Sequence, residues 1–173
     1  ELIIDALAKL HAHCWEDPRL GKELGPLPDE ADIIKLDNLE ENLPRFVKFM
    51  GERLSVERRQ IYEKLLVSWP TQFMRRVAEG KGLTLIHCDA HAWNILLPYD
   101  STKDRVYVID WQLYTPWIGA QDLAYHIALF WHAEQRRLME IDLLKGYHNR
   151  LLALGVQHYS WEDLWYDYRL SVI

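Results

Sequence analysis

Apolar residues recur at helical spacing towards both ends of the chain. At the N-terminal end they fall on one side of a helix that is predicted to run from Leu2 to Trp15. Proline and glycine residues then interrupt the pattern, which predicts a loop over 16–31. A second helix is predicted to begin near Asn38, with Pro44 in its first turn and an apolar face formed by Phe46, Val47, Phe49, Met50 and Leu54. Further helices are predicted over 56–67, 70–79, 120–132, 134–154 and 161–172.

Three short apolar runs between the helical regions resemble β-strands. They lie at 83–86, 95–97 and 105–109. The polar, turn-like segment Pro98–Asp104 separates the last two runs, which are therefore predicted to form a hairpin. If 95–97 pairs with 107–109, Asn94 and Asp110 lie opposite each other at the open end of that hairpin. The order of helices, a small β region and more helices predicts one mostly α-helical α+β domain over 1–173.

Composition and charge narrow the classes of protein to consider. The chain is 49% hydrophobic and 27% charged, which is ordinary for a globular domain, so wholesale disorder is not expected. Its net charge of −6 argues against nucleic-acid binding. Cys14 and Cys88 lie far apart and are interpreted as reduced thiols. No apolar run is long enough to span a membrane, so we expect a cytoplasmic protein with no membrane partner.

The candidate chemistry is concentrated in two short segments. Residues 87–94 read His-Cys-Asp-Ala-His-Ala-Trp-Asn, and Val-Ile-Asp-Trp-Gln follows at 108–112. Asp89 can accept the proton of a hydroxyl group. Asn94 and Asp110 can offer oxygen ligands to Mg²⁺, which also binds water and nucleotide phosphates. The spacing of these three residues indicates phosphoryl transfer.

The same residues carry a resemblance to a known family. The pattern His-x-Asp-x-x-x-x-Asn followed by Ile-Asp-Trp resembles the catalytic core of the aminoglycoside phosphotransferase and choline kinase superfamily, which has a protein-kinase-like fold. The continuation through Gly119-Ala-Gln-Asp-Leu-Ala-Tyr125 is similar to the ecdysteroid-kinase-like branch. Leu-His-Ala-His-Cys-Trp at 10–15 resembles the first helix of the helical lobe. The resemblance implies a protein-kinase-like C-terminal lobe, with a β-hairpin that carries the catalytic and metal residues.

This resemblance implies a role for each matching residue. Asp89 would be the catalytic base, and Asn94 and Asp110 would bind Mg²⁺. His87 and Asp122 would support the catalytic loop. ATP would be the phosphoryl donor, and the acceptor would be a hydroxyl group of a small molecule.

Two features depart from the family pattern. Cys88 occupies a position that is commonly glycine, where a side chain is strained if the backbone needs a positive φ. The chain also lacks a glycine-rich phosphate loop and a Val-Ala-x-Lys strand. Since Glu1 already lies in a helical pattern, we expect a segment of a longer protein. Its partner would be an N-terminal lobe that covers the nucleotide, and the segment alone would be nearly inactive.

Several neighbouring residues leave two interpretations open. Candidates for the acceptor side of the site are His91, Trp111, Gln112, Tyr114 and Trp117. The aromatic residues that follow Asp110 could wall the acceptor site or could serve only in packing.

Two other functions compete with phosphoryl transfer. One is a non-catalytic, kinase-like binding module or scaffold, and the other is a zinc-dependent hydrolase that uses His87, Asp89 and His91.

Overall fold

The structure, a computed structural model, describes residues 1–29, 39–100, 102 and 105–172. The chain divides into two compact units, one formed by 1–27 with 80–172 and the other by 28–79. It is mostly helical, with two small antiparallel sheets. The predicted α+β class with a majority of helix is therefore confirmed. No helix within these described ranges is long and apolar enough to cross a membrane.

Six helices and four strands can be numbered along the described chain. The helices are α1 (Leu2–His13), α2 (Leu39–Met50), α3 (Val56–Ala78), α4 (Ala120–Ala124), α5 (Ala133–Ala153) and α6 (Trp161–Val172). The strands are β1 (Leu83–Ile86), β2 (Ile95–Leu96), β3 (Tyr107–Val108) and β4 (Thr115–Ile118). Short 3₁₀ turns lie at Gly51–Arg53, Ala92–Asn94 and Trp111–Leu113, and a π-helical turn at Tyr125–Leu129 follows α4.

The core of the larger unit is formed by the predicted apolar stripes. In α1 the buried residues recur at helical spacing: Ile4, Leu7, Ala8 and His11. This face packs against α5, while α4 packs against α6. Each fully buried leucine, such as Leu7, contributes about 1.5–3 kcal/mol through removal from water. The core therefore holds α1 in place beside the segment that carries the motif residues.

The hairpin register differs from the predicted one by a single residue. Ile95 lies opposite Val108 and Leu96 opposite Tyr107, so Asn94 pairs with Ile109 and not with Asp110. The backbone N–H of Ile109 donates to the Asn94 carbonyl at 2.9 Å. The prediction was wrong because both strands are continuously apolar. Without polar alternation, nothing in the sequence distinguishes one register from the next.

The first strand pairs with a strand that was not predicted from the sequence. β1 pairs antiparallel with β4, with Leu83 opposite Ile118 and Ile86 opposite Thr115. Pro116 lies within β4, which is compatible with a strand in a sheet of two. The hairpin turn predicted at 98–104 includes positions outside the described residues.

Two predicted helix boundaries are also wrong. The helices predicted over 56–67 and 70–79 are one continuous helix, α3, with Pro70 inside it. A proline removes one backbone N–H donor from the helix and crowds the preceding turn. The other backbone hydrogen bonds remain, so one proline need not end a long helix. The helix predicted over 120–132 ends as an α-helix at Ala124 and continues as the π-helical turn. The start predicted near Asn38 lies outside the described residues, as does the end of the loop predicted over 16–31.

A reciprocal cap begins α6. The Ser160 hydroxyl oxygen accepts from the Asp163 N–H at 3.1 Å, and Asp163 Oδ2 accepts from the Ser160 N–H at 2.9 Å. Lys81 Nζ also donates to both oxygens of Asp163, at 2.8 Å each. This cap therefore ties the first turn of α6 to the segment that enters β1.

Candidate active site

The loop 87–94 leaves β1 and is anchored by one buried carboxylate. Asp122 Oδ2 accepts from the backbone N–H of His87 at 2.8 Å, and its Oδ1 accepts from the N–H of Cys88 at 2.9 Å. His11 Nε2 lies 3.1 Å from the same Oδ2. Because Asp122 is fully buried, these donors replace the water that its charge would otherwise need. Asp122 thus holds the first two residues of the loop through their backbone N–H groups.

The buried network continues from Asp122 into two helices. His11 Nδ1 lies 2.7 Å from the Tyr147 hydroxyl, and the Thr84 hydroxyl donates to the His11 carbonyl at 2.7 Å. Burial raises the pKa of Tyr147 well above its ordinary value, so its hydroxyl stays protonated and can donate to Nδ1. The network joins α1, α5 and β1 to the base of the loop. The sequence motifs predicted no role for His11 or Tyr147.

Cys88 has the backbone conformation for which glycine would be favoured. Its φ is +68°, in the left-handed region that strains residues with a side chain. Burial raises the pKa of its thiol, and the charges of Asp122 and Asp89 raise it further. The thiol therefore stays protonated at neutral pH and is a poor nucleophile.

Asp89 is the third residue of the loop, and its side chain is 21% exposed. The Tyr125 hydroxyl donates to Oδ1 at 2.9 Å, and the Asn94 side-chain amide donates to Oδ2 at 3.0 Å. His91 Nε2 lies 3.5 Å from Oδ2. Each carboxylate oxygen thus has a neutral donor and retains further capacity to accept a proton.

Asn94 and Asp110 lie on adjacent chain segments, because the Asn94 carbonyl accepts from Ile109. The Asn94 amide nitrogen donates to the Asp89 side chain and, at 3.0 Å, to the Asp89 carbonyl. This orientation leaves Asn94 Oδ1 as the atom of that side chain that can ligate a cation. Asp110 is exposed and has a φ of +64°. An amide oxygen and a carboxylate fit the preference of Mg²⁺ for oxygen ligands.

His87 connects the loop to Ile109, the residue that precedes Asp110. Its Nε2 donates to the Ile109 carbonyl at 2.8 Å, and its Nδ1 accepts from the Asp89 N–H at 3.3 Å. Both ring nitrogens are therefore engaged, which favours the loop-supporting interpretation over a zinc ligand. Within the described part of the chain, no three histidine, cysteine, aspartate or glutamate side chains are grouped as a metal site.

The candidates for the acceptor side lie in different surroundings. His91 is beside Asp89, whereas Trp111 packs edge-on against His87 with 4.8 Å between ring centroids. Gln112 and Tyr114 are exposed. Trp117 is 9% exposed and lies opposite Thr84 in the β1–β4 sheet. Its burial favours packing over contact with an acceptor.

Two further residues, which were not predicted as site residues, also contact the loop. His126 Nδ1 donates to the Ala90 carbonyl at 3.0 Å, and burial lowers the pKa of His126, so it is neutral. Tyr125 contacts Asp89, as described above. Residues 122, 125 and 126 have the i, i+3, i+4 spacing that places side chains on one helical face. Extending that face from Asp122 would have found both residues in the sequence.

Comparisons with known proteins give the family of the chain. A model of the phosphotransferase enzyme family matches residues 1–165. No curated protein and no solved structure gives a significant match to the chain. The match covers nearly all of the 173 residues, including both motif segments and the face that begins at Asp122. The chain therefore belongs to the phosphotransferase enzyme family, as the resemblance of its motif residues implied.

Proposed function

We propose that this protein transfers the γ-phosphoryl group of ATP to a hydroxyl group of a small molecule. The observation that carries the proposal is the arrangement of Asp89, which is partly exposed and receives one hydrogen bond on each carboxylate oxygen. A carboxylate held in this way is a suitable base for an incoming hydroxyl group. Its neighbour Asn94 contacts it directly, and Asp110 lies one residue beyond the Ile109 that bonds to Asn94.

The proposed step uses Asp89 as the proton acceptor. The acceptor hydroxyl donates to the carboxylate, and its oxygen attacks the γ-phosphorus of ATP. A new phosphorus–oxygen bond forms while the bond to the β–γ bridging oxygen breaks, and ADP leaves with that electron pair. The proton passes from the hydroxyl group to Asp89. Catalysis in this class depends mainly on positioning and charge stabilisation.

Asn94 and Asp110 are the residues proposed to hold Mg²⁺. The ion would neutralise charge on the nucleotide phosphates. Asn94 has two functions in this proposal, because its amide nitrogen orients Asp89 while its Oδ1 remains for the cation. Replacing Asp110 with Ala should raise the Mg²⁺ concentration needed for half-maximal activity. An unchanged Mg²⁺ requirement would contradict this assignment.

The motif content suggests which part of the enzyme these residues supply. They would form a helical C-terminal lobe, because the sequence contains no glycine-rich phosphate loop or Val-Ala-x-Lys strand. A nucleotide-covering lobe would then be the partner needed for full activity. The similarity of 119–125 to the ecdysteroid-kinase-like branch supports placement in that branch, but the fold does not select the acceptor.

The test is the substitution Asp89→Asn in the full-length protein. Loss of the base should lower phosphoryl transfer from ATP by about 10²–10⁴-fold, with the thermal unfolding midpoint retained. Asp142→Asn, an exposed change in α5, is the matched control and should leave both quantities unchanged. Hydroxylated compounds, such as choline, an aminoglycoside and a steroid alcohol, are screened as acceptors alongside water. Retained turnover by Asp89→Asn would refute the role of Asp89.

Two further measurements test the competing functions, the binding module and the zinc-dependent hydrolase. A binding module would be stabilised by ATP and Mg²⁺ in a thermal-shift assay but would show no turnover. A zinc-dependent hydrolase would purify with stoichiometric zinc. The engagement of both His87 ring nitrogens argues against that second alternative.

A further inference from the structure

One helical face makes three different contacts with the loop 87–94. Asp122 binds the backbone N–H groups of His87 and Cys88, and His126 binds the backbone carbonyl of Ala90. Tyr125 instead reaches the Asp89 side chain, with 2.9 Å between its hydroxyl and Oδ1. Two members of the face therefore hold the loop backbone, while the third contacts the reactive carboxylate.

Tyr125 directly follows α4, and from this position it reaches the Asp89 side chain and not the loop backbone. It begins the π-helical turn, a type of local widening that is frequent at functional sites. Its ring packs edge-on against Phe130, with 5.3 Å between centroids, and stacks on His91 at 6.4 Å. These ring contacts restrict the side chain, so the hydroxyl is presented to Asp89 from a defined direction.

The two donors to Asp89 act on different oxygens. Tyr125 donates to Oδ1 and Asn94 donates to Oδ2, so rotation of the carboxylate about its Cβ–Cγ bond would move both oxygens away from their donors. Removing the tyrosine hydroxyl would leave Asn94 as the remaining donor of this pair. The carboxylate plane would then be less restricted towards an incoming hydroxyl group.

From this geometry we infer that Tyr125 is a positioning residue that fixes the orientation of the Asp89 carboxylate. The inference rests on the proposed function, because orientation matters only if Asp89 receives a proton. Tyr125 does not exchange a proton in the step: its hydroxyl donates to Oδ1 before and after Asp89 accepts the proton of the substrate.

The ionisation of Tyr125 is compatible with a permanent donor. Burial raises the pKa of its hydroxyl, and the hydrogen bond to Asp89 and the charge of that carboxylate raise it further. The hydroxyl therefore stays protonated throughout the pH range in which Asp89 would act. It can donate its hydrogen bond without a competing titration.

The test compares two tyrosine-to-phenylalanine substitutions in the full-length protein. Tyr125→Phe removes the hydroxyl and keeps the ring. Tyr168→Phe is the matched control, because the Tyr168 hydroxyl also donates to a carboxylate, Glu140 Oε1, at 2.6 Å. The assay is phosphate release from ATP with Mg²⁺, in which water takes the place of the alcohol. Tyr125→Phe should lower kcat by about ten- to a hundredfold, with KM for ATP and the thermal midpoint retained.

Tyr168→Phe should leave kcat and KM within about twofold of the unsubstituted protein, whatever small change in stability it causes. The inference is overturned if Tyr125→Phe keeps its kcat, or if its loss of activity follows a loss of folded protein. In the Asp89→Asn background, Tyr125→Phe should have no further effect on the residual rate, since both changes act through one group. If Tyr125→Phe lowers the rate equally in the unsubstituted and the Asp89→Asn proteins, Tyr125 does not act through Asp89.

The failure of this inference can be told apart from failure of the proposed function. If Asp89→Asn abolishes phosphate release while Tyr125→Phe retains it fully, only the positioning role is wrong. If Asp89→Asn itself retains phosphate release, the proposed base is wrong and the inference fails with it.

Discussion

His11 and Asp122 form a fully buried pair, with 3.1 Å between His11 Nε2 and Asp122 Oδ2. The two residues are 111 positions apart in the sequence. Asp122 also binds the first two backbone N–H groups of the loop 87–94. Through this pair the N-terminal helix α1 contacts the residue that holds the loop in which Asp89 lies.

Removing the Asp122 carboxylate should destabilise the folded protein. Asp122→Ala leaves two backbone N–H groups and the His11 ring without their acceptor, and breaking such a buried network costs about 3–5 kcal/mol. Urea unfolding followed by circular dichroism measures the loss. The exposed change Asp142→Ala in α5 should alter the free energy of unfolding by less than about 0.5 kcal/mol. Equal stability of the two variants would show that the network does not stabilise the fold.

The positive φ of Cys88 predicts an order of stability among substitutions. Cys88→Gly and Cys88→Ala both remove the sulfur atom, but only glycine adopts the observed φ of +68° without strain. The glycine variant should be more stable than the alanine variant by about 1 kcal/mol. Thermal or urea unfolding of the two proteins gives the difference. An alanine variant that matched the glycine variant would mean that the backbone at 88 relaxes readily.

Two glycines before β1 provide a matched test of packing. Both have positive φ, +65° at Gly80 and +73° at Gly82. A Cβ at Gly80 meets no atom of the described chain within 4 Å, whereas one at Gly82 would lie 2.7 Å from Asp167 Oδ2. That oxygen already accepts from the Tyr159 hydroxyl at 2.8 Å.

Gly80→Ala should therefore cost only the backbone strain, about 1–2 kcal/mol. Gly82→Ala should cost a further 1–3 kcal/mol or so, because the added methyl group must displace buried atoms. Urea unfolding of the pair measures the difference. Similar losses at both positions would indicate that the buried Asp167 moves aside easily.

The cap of α6 predicts a loss of stability in acid. Burial tends to raise the pKa of Asp163, but hydrogen bonds from Lys81 and Ser160 outweigh it and lower that pKa to about 2. The ordinary value is 3.8. A carboxyl group with a lowered pKa in the folded state stabilises the protein above its unfolded pKa. This contribution should disappear as the pH falls from about 4 towards 2.

Asp163→Asn should reduce stability at neutral pH and flatten the acid limb between these values. Unfolding free energy measured as a function of pH checks both effects. Glu162→Gln, an exposed change in the same helical turn, is the control and should retain the steep limb. A variant curve parallel to that of the unsubstituted protein would contradict the assignment.

The sequence predicted most of the helices and the residues of the motif, because both signals are local. Helical periodicity placed α1, α5 and α6 close to their observed bounds. The contact between Asn94 and Asp89 spans five positions and lies within the motif itself. Pro70 misled the helix assignment, because the pattern does not show whether a long helix can continue through a proline.

By itself, then, the sequence determined the fold class, the family and the identity of Asp89, Asn94 and Asp110 as candidates for the chemistry. Only the tertiary structure decided the hairpin register, the pairing of β1 with β4, and the contact of His11 with Asp122 beneath the loop 87–94. The physical reason is distance along the chain. Helical spacing and short motifs are set by neighbouring residues, whereas contacts between remote segments depend on how the helices pack around the common core.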